Sequence, residues 1–239
     1  VPDPFPLIWI TRAEPGASAT ARRVEAMGWR PLVAPLLEAR PLEAVLDLTG
    51  IAALAFTSAQ GVRAFAALSD ARLPAFTVGD ATAEAARAAG FAQVQSADGD
   101  VAALANLIAR ANPGPILHAG ALHPAGDLVG DLTARGLPAR AVALYDTVAV
   151  AVDPAPALAR LPRIAAVLVH SPKAAALLAD LLTTHPTPNL RLLTLSEAVA
   201  APLRAVENAT IAVAPFPNEA SLLNLLPKPP RPAGNDSPR

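Results

Sequence analysis

Two stretches far apart in this chain spell almost the same strand and stop on the same residue: IAALAFTS at 51–58 and IAAVLVHS at 164–171. Two further pairs accompany them. GDVAALANLI at 99–108 aligns with PNEASLLNLL at 217–226, sharing Leu104 with Leu222 and Asn106 with Asn224. IWITRAEPGASATARRVEAMG at 8–28 lies beside ILHAGALHPAGDLVGDLTARG at 116–136, with Gly28 and Gly136 closing equivalent helices. The chain is thus written as a, b, a′, b′, and an internal repeat of this size calls for two similar lobes. With 239 residues, 53% of them hydrophobic, it has enough apolar surface for two modest cores.

Short apolar runs alternate with longer amphipathic stretches. The candidate strands are 7–10, 31–37, 52–57, 75–78, 116–119, 141–150, 165–170, 192–195 and 210–214. Near-continuous apolar strands, most followed by a helical pattern, predict parallel sheets covered on both faces, the doubly wound α/β class.

Charge and composition remove several function classes. A net charge of −1 with a pI near 6.5, and basic residues scattered along the chain, give no electrostatic footprint for nucleic acid. There is no cysteine, which excludes disulfides, thiolate metal sites and cysteine nucleophiles and makes the cytoplasm the expected compartment. The opening VPDPFPLIWITRAEP does not read as a signal peptide, and no apolar run reaches transmembrane length, so no membrane partner is expected. From Pro227 onward the sequence has no apolar periodicity and reads as a disordered tail over 227–239. No long apolar surface helix asks for a partner, and a monomer is expected.

Where parallel strands end and helices begin, the sequence places small, hydroxylated or flexible residues. These are Thr11-Arg12, Ser58-Ala59, Gly79-Asp80-Ala81-Thr82, His118-Ala119-Gly120, Ser171-Pro172 and Ser196-Glu197. Helix amino ends carry unsatisfied N–H groups and partial positive charge, so these rims favour a carboxylate or phosphate without lysines. Ligands of such folds sit at strand carboxyl ends. Ser58 and Ser171 read first as helix caps, with Pro172 suited to a first helical position, and second as walls of an anion cradle. A nucleophilic role finds no triad partner among His118, His123, His170 and His185, nor a Gly-x-Ser-x-Gly elbow. His118 and His123, five apart with no third ligand in view, make a poor metal pair. No strand is followed by a dinucleotide glycine fingerprint.

Thr11-Arg12-Ala13-Glu14-Pro15, FTSAQGV at 56–62, VGDATAEAARAAGF at 78–91, LYDT at 144–147 and HSPKAAALL at 170–178, in this order, resemble uroporphyrinogen-III synthases over about residues 7–226. Each motif alone is permissive, and the ordered set with its repeat is specific. The resemblance implies two flavodoxin-like lobes joined by a two-stranded antiparallel ladder, with the substrate in the cleft. It also implies that the lobes are built as b with a′ and a with b′, not as tandem halves cut near residue 113. One lobe is then 43–143, the other is 1–36 plus 152–226, and the ladder pairs 37–42 with 144–151.

The reaction implied is closure of the linear tetrapyrrole hydroxymethylbilane to uroporphyrinogen III with inversion of ring D and loss of water, a lyase step serving haem, sirohaem, cobalamin and chlorophyll. No metal or organic cofactor is implied, and the partner would be a small-molecule polycarboxylate, with a transient handover from hydroxymethylbilane synthase. Tyr145, the chain's one tyrosine, matches the family tyrosine that assists the leaving hydroxyl, and Thr82 matches a threonine lining the site. Thr11, Arg12, Ser58, Ala59, Gly79, Ala81, Thr82, Gly120, Ser171 and Ser196 are the expected substrate contacts. Arg12 has a second reading as a surface ion pair with Glu14, Thr82 as a cap of its own helix, and Tyr145 as an aromatic packed at the lobe junction. In the second lobe LSEAVAAPL at 195–203 departs from the family, with Ser196 for a glycine and Val199 for a threonine; Ser196 is expected to cap that helix, and Val199 carries no role. A solute-binding protein or a regulatory module would share a two-lobed carboxylate site, and neither explains the ordered motifs.

Overall fold

The computed structural model describes residues 6–150, 155–185, 187 and 189–229. The first five residues, and the expected tail beyond 229, lie outside them. In chain order the elements are β1 (Leu7–Ile10), α1 (Gly16–Ala26), β2 (Arg30–Val33), β3 (Leu37–Pro41), β4 (Ala53–Phe56), α2 (Ala59–Leu68), β5 (Ala75–Thr77), α3 (Asp80–Ala88), β6 (Val94–Ser96), α4 (Val101–Ala111) and β7 (Ile116–Ala121). They continue with α5 (Leu128–Ala134), β8 (Ala139–Ala149), α6 (Ala155–Leu158), β9 (Ile164–Val169), α7 (Pro172–Thr184), β10 (Arg191–Thr194), α8 (Glu197–Ala200), β11 (Thr210–Val213) and α9 (Glu219–Leu223).

The chain divides into two compact units, Val1–Glu38 with Ala149–Arg239, and Ala39–Val148. The first holds a five-stranded sheet in the order β11-β10-β9-β1-β2, its strands parallel. The second holds the order β3-β8-β7-β4-β5-β6. Its parallel part, β8-β7-β4-β5-β6, is the first sheet's order with the two halves of the chain exchanged, β7 standing for β1 and β4 for β9. The fold is therefore α/β, two flavodoxin-like sheets covered by helices. Leu42 N–H donates to Leu144 at 3.0 Å and Val150 N–H to Leu36 at 3.1 Å, so β3 and β8 run antiparallel.

Burial on both faces explains the near-continuous apolar strands. In the first unit Trp9 and Val167 face one core with Leu178 and Leu192. Ile8, Ile10 and Leu168 face the other, with Val24 and Leu222. In the second unit Leu54 and Phe56 face α2 and α3, while Ala53, Ala55 and Ile116 face α4 and α5. Phe56, Phe65 and Phe91 pack as a trio with centroids 5.6–6.1 Å apart, two of the contacts edge-on.

Two sequence expectations are corrected. The single strand expected over 31–37 is two, β2 and β3, because Pro35 has no N–H to continue a ladder. Strand β6, VQS at the sheet edge, lacks the apolar run that marks the others and falls outside the expected set. The repeat reaches the helix ends: Gly28 and Gly136 hold φ of +81° and +78°. The next residues, Trp29 and Leu137, donate back to Val24 and Leu132, the same left-handed closure in both copies.

Phe65 is fully buried in the aromatic trio. Phe65→Ala is expected to lower unfolding stability by about 3–5 kcal/mol, read from a denaturant titration with unchanged slope.

Candidate functional site

In the second unit the site forms where β4, β5 and β7 end, beside the middle of β8. Strand β4 runs out at Phe56, and Ser58, in extended conformation, starts α2 by accepting the Gly61 N–H on Oγ at 3.0 Å. The cap leaves the amides of Ala59 and Gln60 without an intrachain acceptor among the described residues. Next to it, β5 ends at Thr77 and Gly79 starts α3 with no side-chain cap. There Thr82 and Ala83 N–H both donate to Gly79, and those of Asp80 and Ala81 stay unengaged among the described residues. Neighbouring strands thus present two open helix starts on one rim.

Tyr145 is carried to this rim by an irregularity in β8. Gly120 pairs with Ala143 but Ala121 pairs with Tyr145, so Leu144 is an extra residue in the ladder. A bulge of this kind re-aims the side chains that follow it. Leu144 and Tyr145, which a regular strand sends to opposite faces, both join the cluster of Val62, Phe56 and Phe65. Tyr145 is 7% exposed, and its phenol oxygen lies 2.9 Å from Ser58 Oγ. The tyrosine and the capping serine therefore form one hydrogen-bonded unit, beyond aromatic packing. Burial lowers the pKa of Arg63, on the same helix, and the Tyr145 charge that forms when the phenol ionises offsets this in part.

Beneath this pair, Thr57 Oγ1 hydrogen-bonds His118 Nε2 at 3.1 Å. His118 is buried, which depresses its pKa and keeps the ring neutral. Close approach fixes two glycines here. A Cβ on Gly61 would stand 2.7 Å from the Ala119 carbonyl oxygen, and one on Gly120 would meet His118 Nε2 at 3.2 Å. Thr82 is nearly buried within the first turn of α3, so it does not cap its helix as the alternative reading had it.

The first unit builds the matching rim differently. Ser171 caps α7 through Ala174 N–H at 3.2 Å, with Pro172 as the first helical residue. Thr11 is fully buried, and its hydroxyl donates to the Leu168 carbonyl at 2.8 Å, so it clamps β1 to β9. Arg12 pairs with Glu219 at 3.0 Å, while Glu14 accepts from Ser18; the Arg12–Glu14 pair of the alternative reading does not form. Ser196 stands at the start of α8 without a side-chain cap hydrogen bond, against expectation. Val199, which aligns with Thr82 in the repeat, is buried against Leu178, Leu192 and Leu203.

Glu219 carries no distinguishing signal in the sequence. Asn218 caps α9 and sets Glu219 at its first position. There it receives Arg12, Thr20 at 2.5 Å and His170 Nε2 at 3.0 Å, with Arg23 4.0 Å away. Burial opposes its ionisation, yet the hydrogen bond from His170 and the charge His170 carries when protonated, then the Thr20 hydrogen bond and the Arg12 charge, bring its pKa down to about 2. Burial dominates at His170 and lowers its pKa; its Nδ1 is enclosed without a hydrogen-bond partner, so a proton there would be an unsatisfied donor. In the repeat alignment Arg12, Glu219 and His170 correspond to Gly120, Val101 and Thr57. The first rim holds its own internal carboxylate where the second is small and neutral.

Because the Glu219 pKa in the folded chain lies below its ordinary 4.5, its contribution is complete above that value and is lost as pH falls toward about 2. Glu219→Gln is expected to remove about 2–3 kcal/mol at pH 7 and to flatten the loss of stability between pH 5 and 2, measured by denaturant unfolding at a series of pH values.

Among the described residues no helix is long and apolar enough to cross a membrane, and no group of three or more His, Asp or Glu is placed to hold a metal. The structure resembles uroporphyrinogen-III synthetase from Helicobacter pylori at 15% identity, covering 92% of this chain and 97% of that one with a TM-score of 0.62. It also resembles a mutant uroporphyrinogen III synthase from the extremely thermophilic bacterium Thermus thermophilus at 18% identity, covering 91% and 96%, with a TM-score of 0.50. None of the curated proteins compared with the chain matches it. The model of the family described as uroporphyrinogen-III synthase HemD matches residues 18–224. The chain therefore belongs to the uroporphyrinogen-III synthase family.

Proposed function

We propose that this chain catalyses the cyclisation of hydroxymethylbilane to uroporphyrinogen III, a lyase reaction of tetrapyrrole biosynthesis, in the cytoplasm and without a cofactor. The observation that carries this reading is the family match across residues 18–224. The second unit's rim adds a chemical rationale.

The substrate bears acetate and propionate arms on every pyrrole, and a chain with a net charge of −1 must hold them mainly with backbone groups. Unengaged amides at Ala59, Asp80 and Ala81, beside Gly79, Ser58, Thr82 and Gly120, supply donors aimed at anions along the rim. Arg12, Ser171 and Ser196 are the corresponding contacts proposed for the first unit, with Arg12 already compensated by Glu219.

Chemistry begins when the hydroxymethyl C–O bond breaks and the oxygen leaves as water after taking up a proton. The azafulvene that forms is attacked by the substituted α-carbon of ring D. The spirocyclic intermediate fragments, the freed ring recloses in the inverted sense, and the α-hydrogen of ring D is lost as a proton that replaces the one taken up by the leaving oxygen. Spontaneous closure joins the same ends without inversion, so the protein's main contribution is orientation. Tyr145 is the proposed donor to the departing oxygen: a phenol is protonated at neutral pH, and this one sits on a rigid strand beside the open helix starts.

Added protein should consume freshly generated hydroxymethylbilane faster than its spontaneous closure, at a rate proportional to protein concentration. Tyr145→Phe, which removes only the oxygen, is expected to lower kcat by roughly 10- to 100-fold, the worth of one hydrogen bond to a developing charge. Thr82→Ala should act mainly on KM. A Tyr145→Phe enzyme with the parent kcat would remove the tyrosine from the mechanism.

A further inference from the structure

The Ser58–Tyr145 contact raises a question of direction, since either hydroxyl can donate across 2.9 Å. Ser58 has one proton to give and two lone pairs, and the Gly61 N–H occupies one of them. If the phenol donated to Ser58, its proton would be spent within the protein. The Ser58 proton would then have no acceptor among the described residues. If Ser58 donates to the phenol oxygen, both of its functions are used and the phenol proton is free for the substrate.

We propose that Ser58 is a positioning residue for the cyclisation: its hydroxyl, polarised by the first turn of α2, donates to the Tyr145 oxygen and so aims the phenol O–H at the departing hydroxyl. This rests on the reading of Tyr145 as the leaving-group donor. The sequence runs Gly61 N–H to Ser58 O–H to Tyr145 O–H to leaving oxygen. Only the last proton is shared with or passed to the substrate, leaving with it as water; the earlier bonds strengthen as charge builds on the phenol oxygen. The arrangement has the features that such a chain needs. Ser58, half-buried, is held by the cap, and Tyr145, 7% exposed, is held by the β8 bulge, so the two hydroxyls meet in a fixed and partly enclosed geometry.

The test is a double-mutant cycle in steady-state turnover of hydroxymethylbilane with the full chain, using Ser58→Ala, Tyr145→Phe and the pair. Ser58→Ala is expected to lower kcat roughly five- to tenfold with KM within about twofold, and the double variant should lie within about twofold of Tyr145→Phe alone. Ser58→Thr, which keeps both the cap and the proton, should restore most of kcat. Ser58→Asp keeps an acceptor for the cap but has no proton to give at neutral pH, so it should fall at least as far as Ser58→Ala while remaining folded by thermal denaturation. Multiplying losses in the double variant, or an active Ser58→Asp, would overturn the proposal and leave the cyclisation standing. A parent protein that yields no type III product would overturn both.

Discussion

Every helix that follows a parallel strand begins with amides that have lost their strand partners and gained no helical ones. That obligation organises this protein. Each unit must satisfy or expose such groups along one edge of its sheet, and capping residues, glycines and open amides collect there as a result. Ser58, Asp100, Asp127, Ser171 and Asn218 each satisfy one amide from a side chain, whereas α3 begins at Gly79 with none. Open amides, which favour anions, thus collect on one edge without surplus cationic charge.

The repeat turns this into an internal comparison. Both units keep the strand order, the serine cap after the second-half strand and the glycine closure after the first-half helix. One difference between them sits at three aligned positions on the rim. Where the second unit has Gly120, Val101 and Thr57, the first has Arg12, Glu219 and His170, which close into a partly buried cluster around the Arg12–Glu219 ion pair. A carboxylate supplied by the chain stabilises that rim at neutral pH and occupies its guanidinium. Val199 in place of a threonine points the same way, since it packs into the core where Thr82 stands in the other copy. The proposed chemistry therefore concentrates in the second unit.

Much of this was legible in the residues. Two-faced burial produces long apolar strands, and the repeat identifies which strands correspond, so the α/β class and the roles of Ser58 and Ser171 as caps could be read directly. The ordered motifs carried the family. What escaped were features made by contacts distant in sequence. Glu219 looks like any acidic first-turn residue until Arg12, Thr20 and His170 close on it. The Leu144 bulge leaves no mark in AVALYDTVAV, yet it decides which face Tyr145 takes. Strand β6 is short and polar because edge strands need little apolar surface, and Pro35 split a run whose hydropathy alone reads as one strand. Thr11 was expected on the rim from its place after a strand, but the strand pairing directs its hydroxyl to a backbone carbonyl.

The most direct test of the account is the isomer composition of the product. Hydroxymethylbilane would be generated fresh, incubated with the protein, and the products oxidised and separated as uroporphyrins I and III. Predominant type III, rising with added protein, is the result predicted. Type I alone, at the level of the protein-free control, would contradict it.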